Sequence, residues 1–176
     1  MSRSATVNGT ENKAEHIQPL GAKMKAIRES FDLTIQQLAN QVHVSSLTIR
    51  NWESLEHSKY KDFSPSAGDA LKEAQDWLKE LQLKRKREID ECFHEVQQQP
   101  WKADEYRIVS FIYFRSQKEY DEYRRALPLS DKRLKLEYSY EYVNIVNANT
   151  RAKAEELRRQ IINCRTRFYY PDESSD

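Results

Sequence analysis

Ser46, Leu47, Arg50 and Asn51 are residue types that can read the edges of nucleic-acid bases, and their spacing can place them together. If Ser45 caps a helix, these four point away from the face that carries Ile49 and Trp52. Arg50 can fork onto O6 and N7 of guanine, Asn51 can pair with adenine or a phosphate, and Leu47 can pack on a thymine methyl. Thr48 and the free amides at the helix start suit phosphate oxygens. The bland alternative is an ordinary capped helix pair in an all-helical core.

A second element must hold such a face in place. Thr34 has a hydroxyl able to cap a preceding short helix with Leu38, Ala39 and Val42 on one side. Two short helices joined so tightly must cross steeply. That geometry lets the second helix project its outer face into a major groove while the first braces the backbone.

With these residues the segment resembles the XRE/Cro-type, lambda-repressor-like helix-turn-helix family. The pattern stands here as Ile27-Arg28, Leu33-Thr34, Leu38-Ala39, Val44-Ser45, Thr48-Ile49 and Trp52-Glu53. The resemblance implies that Arg28 and Glu53 form a structural ion pair fixing the first helix against the third. Thr34, Ser45, Ser46, Leu47, Thr48, Arg50 and Asn51 are the DNA contacts expected from the helix pair. Two positions depart from the pattern. Ile35 stands where a phosphate-gripping glutamine is usual, so Gln36 or Gln37 would replace that contact. His43 stands at the tight-turn glycine and needs a left-handed or adjusted backbone; it reads as a turn residue rather than a ligand. In the family the following loop lies along the DNA backbone, which makes Lys59, Tyr60 and Lys61 phosphate contacts; a plain solvated loop is the alternative.

Charge limits how such a module could bind. The net charge is +1. Residues 19–64 hold Lys23, Lys25, Arg28, Arg50, Lys59 and Lys61 against Glu29, Asp32, Glu53, Glu56 and Asp62. Non-specific phosphate attraction is therefore modest, and affinity depends on oriented contacts and on doubling the module in a dimer. No run of about 18 apolar residues occurs and the first residues lack a hydrophobic signal core, so a cytoplasmic, nucleoid-associated protein of a bacterial or phage-infected cell is expected. Cys92 and Cys164 lack paired-cysteine or histidine spacing and read as buried, reduced thiols.

The expected organisation runs as follows. Residues 1–16 form a tail, and 17–64 form the helix-turn-helix domain, opening on a helix from about Pro19 to Ser30. Residues 65–99 form one long helix, whose far half must pack on the C-terminal module or on a second copy. Within it, Lys84-Arg85-Lys86-Arg87 is flanked by acids and reads as a solvated face, with nucleic-acid contact as the alternative. Residues 100–170 form a small α+β module: a strand at 106–114, a helix capped by Ser116, a second strand at 133–139, and a helix from about 141 to 163, with continuation of the second strand through YEYVNIVNANT as the alternative. The RFYY segment adds a possible last strand before a tail at 171–176. The fold class expected is mainly α, with the bundle, the long connecting helix and a strand-helix-strand-helix dimerisation module.

The order of these elements also resembles, less sharply, the anti-CRISPR-associated repressors of phages and mobile elements, in which the C-terminal module makes the dimer. Nine tyrosines lie in the C-terminal half, and amphipathic rings suit interfaces. Phe111, Tyr113, Tyr138, Tyr140 and Tyr142 are the expected dimer interface; a stacking platform for single-stranded nucleic acid is the alternative. No glycine-rich phosphate loop, nucleophile elbow, HExxH pair or paired-cysteine site occurs, so neither an enzyme nor a cofactor or metal site is expected. The expectation is a homodimeric repressor of a phage or mobile-element operon binding an inverted repeat in double-stranded DNA, with no membrane or small-molecule partner. The alternatives are a DNA-binding antitoxin and an RNA-binding or protein-interaction module that keeps the scaffold.

Overall fold

The computed structural model describes residues 20–54, 65–102, 105–128 and 130–173. Among these the order is α1 (Leu20–Ser30), α2 (Ile35–Gln41), α3 (Ser46–Ser54), α4 (Pro65–Gln98), β1 (Arg107–Ile112), α5 (Gln117–Ala126), α6 (Lys132–Glu137), α7 (Val143–Gln160) and β2 (Cys164–Tyr169). The protein is mainly helical with a small two-stranded sheet.

Helix α4 organises the chain. At 34 residues it is about 50 Å long. Its first half buries Leu71, Ala74, Leu78 and Leu81 in one continuous core. That core also takes Met24, Phe31, Leu38, Ile49 and Trp52 from α1–α3 and their turns, and Phe114, Tyr120, Val143 and Ile145 from the C-terminal half. Its second half supplies Val96 to a smaller cluster with Leu157 and Ile161, against which Val109, Phe111, Cys92 and Cys164 pack. The far half of α4 is thus covered by α7 and the sheet of its own chain. α1 to α5 lie close to where the sequence pattern puts them, and the larger core takes residues from α1–α3, α4 and the C-terminal half.

The expected strand at 133–139 is instead α6. Asp131 accepts the Leu134 amide at 3.0 Å and so caps a helix start, and Leu134 and Tyr138 lie four apart. The polar-apolar alternation fitted both periods over so short a segment, and the cap decides between them. The C-terminal half is therefore strand-helix-helix-helix-strand. β1 and β2 run parallel, with Arg107 opposite Cys164 and Ile112 opposite Tyr169. Parallel neighbours need a long crossover, which α5, α6 and α7 provide.

With few glycines, the turns use other residues that tolerate the left-handed region: Asp32 (φ 52°), His43 (φ 53°) and Asn163 (φ 62°). Gly21 has a different task. A Cβ there would lie 2.4 Å from the Trp52 carbonyl oxygen and 2.8 Å from that of Glu53. Replacing a helical glycine by alanine ordinarily gains about 0.5–1 kcal/mol. At Gly21 the sign should reverse, because both clashing atoms are backbone and the overpacking cost is about 1–3 kcal/mol. Thermal unfolding of Gly21→Ala checks this; a midpoint at or above the parent's would mean that α1 and α3 do not approach so closely.

Candidate nucleic-acid interface

The site is built on α3 and on the two helices that hold it. Thr34 opens α2 through a reciprocal capping box: its hydroxyl accepts the Gln37 amide at 3.1 Å, and the Gln37 side-chain oxygen accepts the Thr34 amide at 2.9 Å. α2 ends in the left-handed turn at His43, where the Val44 amide returns to the Ala39 carbonyl at 3.0 Å. Ser45 then caps α3 by accepting the Thr48 amide at 3.1 Å, and its hydroxyl also bonds that of Thr48. The turn, both caps and the inward faces of Leu38, Ala39, Ile49 and Trp52 are as the residue pattern predicts.

Arg28 locks the assembly. Its guanidinium is bidentate on Glu53, with Nε to Oε1 at 2.5 Å and Nη2 to Oε2 at 3.0 Å, and Nη1 donates to the Leu33 carbonyl at 2.6 Å. Both side chains are buried. The hydrogen bond to Glu53 raises the Arg28 pKa above its ordinary value, so the charge is fixed.

On the outer face of α3, Leu47 is 64% exposed, and Arg50 and Asn51 are exposed. Neither Arg50 nor Asn51 commits its side chain to a hydrogen bond or ion pair with another described residue. Ser46 is tied down: its hydroxyl donates to Gln36 Oε1 at 2.6 Å, while Gln36 Nε2 donates to Asn40 Oδ1 at 2.7 Å. Gln37 is held by the capping box, and its Nε2 lies 3.4 Å from Asn144 Oδ1. The predicted positions therefore separate into free ones (Leu47, Arg50, Asn51), ones bonded within the pair of helices (Gln36, Ser45, Ser46, Thr48), and ones engaged in the α2 cap (Thr34, Gln37). Lys59, Tyr60 and Lys61 lie outside the described residues.

Of the residues expected at a dimer surface, one is turned inward. Tyr140 is buried; its hydroxyl donates to Glu88 and accepts from Asn149 Nδ2 at 2.9 Å. Tyr138 packs edge-on against Phe114 and Tyr123, Tyr142 donates to the Gln37 carbonyl at 3.4 Å, and Tyr113 accepts from Arg151. Phe111 lies on the Val96 cluster. Tyr140 is thus unavailable to a second copy, whereas Phe111, Tyr113, Tyr138 and Tyr142 are half-buried and make these contacts within their own chain. Amphipathic rings suit an intramolecular joint for the same reason that they suit an interface.

The basic run is likewise only partly solvated. Lys84 lies over the Tyr140 ring and donates to Ser139 at 2.5 Å. Arg85 stacks 3.5 Å over the Phe31 ring, donates to the Ser30 carbonyl at 2.8 Å and to Asn149 Oδ1 at 2.9 Å, and is pulled down to about 10 by burial. Lys153 is buried between Glu88 (3.2 Å) and Glu137 (2.8 Å), and their charges outweigh its burial and raise its pKa. Asn147 accepts the Phe114 amide and donates to its carbonyl. Sequence reasoning missed these α7 residues. A signal existed, since asparagine is a poor helix former and Asn144, Asn147 and Asn149 recur within one helix, where short polar side chains need partners.

Burial pushes the phenols of Tyr120, Tyr138 and Tyr140 well above their ordinary range. Tyrosines of an unfolded chain ionise near pH about 10. Above that pH the unfolded state sheds protons that the folded state keeps, so stability falls as pH rises. Lys84 and Arg85, whose pKa values burial lowers, act in the opposite sense. In an alkaline titration, part of the phenolate absorbance should be withheld until the helical circular dichroism collapses. Complete tyrosine ionisation with the helical signal intact would contradict this burial.

No protein-family model matches the chain, and no curated protein matches it in sequence. Among the described residues no helix is long and apolar enough to cross a membrane, and no group of three or more His, Cys, Asp or Glu is placed to hold a metal.

Proposed function

We propose that this protein is a sequence-specific, double-stranded-DNA-binding transcriptional regulator with a lambda-repressor-like helix-turn-helix head, and that two copies repress an operon of a phage or mobile element through an inverted repeat. The observation that carries this reading is the contrast on α3. Leu47, Arg50 and Asn51 are exposed and uncommitted, whereas the residues that set the helix's position are capped, bonded or buried. A face with fixed geometry and free Arg and Asn side chains suits direct readout in a major groove. The near-neutral charge of the chain fits a protein that finds its site by oriented contacts. Selection from random duplexes, with the mass of the bound species measured in solution, tests it. The expected product is an enriched inverted repeat bound by two chains; recovery of no enriched motif would count against the reading.

A further inference from the structure

The turn between α1 and α2 is gripped from outside its own bundle. Asn144, in the first turn of α7, donates to the Asp32 carbonyl at 2.7 Å. Arg151, two turns further along, bonds the Asp32 carboxylate and the Tyr113 hydroxyl together. From the other side Arg85 of α4 covers the Phe31 ring, donates to the Ser30 carbonyl, and is itself held by Asn149 of α7. Phe31 and Leu33, on either side of Asp32, are buried in the same core as Val143, Ile145 and Val146. Asp32 sits in the left-handed region, so the loop has little freedom to follow a shifting partner. Nothing in a helix-turn-helix head requires these contacts, because Arg28 and Glu53 already hold the bundle together.

We infer that this joint is a spacing device: it fixes α3 rigidly to the C-terminal half, so that a pair of chains accepts half-sites at one separation, with Asn144 and Arg151 as its positioning residues. The inference rests on the proposed reading of α3 and on two copies acting together. The physical reason is geometric. One added base pair moves a half-site by about 3.4 Å along the axis and turns it by about one tenth of a turn. A head on a loose tether absorbs that change. A head held by core contacts, an ion pair and directed hydrogen bonds cannot, and the gain from binding both half-sites at once is lost when geometry forbids simultaneous engagement.

The test compares the parent with Asn144→Ala/Arg151→Glu, which removes the bond to the Asp32 carbonyl and sets a carboxylate against Asp32. The duplexes carry the selected half-sites with spacers one or two base pairs longer and shorter. The parent is expected to favour one spacer by about tenfold or more, and the variant to favour it by about threefold or less. The melting curve of the variant shows whether it is folded. A second measurement needs no DNA: spin labels at Lys25→Cys and Ile162→Cys, both sites exposed, with Cys92 and Cys164 replaced by alanine and unlabelled chain in excess. The parent should give one narrow distance distribution and the joint variant a broad one. Equal spacer preference in parent and variant, or equally narrow distributions, would overturn the device while leaving the reading of α3 standing. A parent that binds duplex but tolerates every spacer overturns it too. A parent that binds no duplex overturns the reading of α3, and the device with it.

Discussion

Arg50→Ala is expected to keep the parent's fold and melting temperature while losing about 1–3 kcal/mol of binding to the selected duplex, with relaxed discrimination at one base position in each half-site. Both halves of that result follow from the position of the side chain. Arg50 is exposed and has no partner among the described residues, so truncating it leaves no buried group unsatisfied. It also stands with Leu47 and Asn51 on an exposed side of α3, away from the buried Ile49 and Trp52. A loss confined to one base position marks a base-edge contact, whereas a loss shared by all sequences with a shallower salt dependence marks a phosphate contact. Equal binding of selected and random duplexes by parent and variant would show that α3 is not the reading face.

What could be read from the sequence were the features whose cause is local. The Thr34 and Ser45 caps, the inward spacing of Leu38, Ile49 and Trp52, and the left-handed backbone at His43 each depend on a few neighbouring residues. The Arg28 to Glu53 pair spans 25 positions, and no local feature predicts it; the expectation rests on a resemblance to a pattern that contains both residues. The residues that failed are those whose role depends on what lies across the core. Arg85 sits in a run of four basic residues flanked by acids, which looks like a solvated helix face. Only the arrival of Phe31 beneath it and Asn149 beside it makes it a strut. Tyr138 and Tyr140 have the chemistry of an interface, and sequence alone does not say whether that interface joins two chains or two parts of one.

The same limit explains α6. Six residues with alternating polarity satisfy a strand and a short helix equally well, and the decision came from one aspartate ahead of them. The consequence reaches beyond that element. With α6 helical, β1 pairs among the described residues only with the distant β2, and this pairing brings Cys164 beside Arg107 and Tyr169 beside Ile112. The C-terminal half is thereby closed around α7, the helix that carries Asn144, Asn147, Asn149, Arg151 and Lys153. The polar residues of one helix then hold the α1–α2 turn, the end of β1 and the middle of α4 at once.

Arg28→Ala should be the most damaging single change in the head, costing about 3–5 kcal/mol. The substitution strands two groups together. Glu53, with its side chain only 6% exposed, keeps a carboxylate with no cation in contact, and the Leu33 carbonyl loses a 2.6 Å donor. A domain has about 5–15 kcal/mol in total, so this loss is a large share of it. Arg28→Lys should fall between the two, because an ammonium cannot serve both carboxylate oxygens and the carbonyl from one planar fork. Arg28→Met/Glu53→Leu should be less harmful than Arg28→Ala, since neither charge is then left buried alone. Urea unfolding of the three variants separates these cases. If Arg28→Ala costs less than about 1 kcal/mol, the pair behaves as a surface salt bridge does, and it does not set the position of α3 against α1.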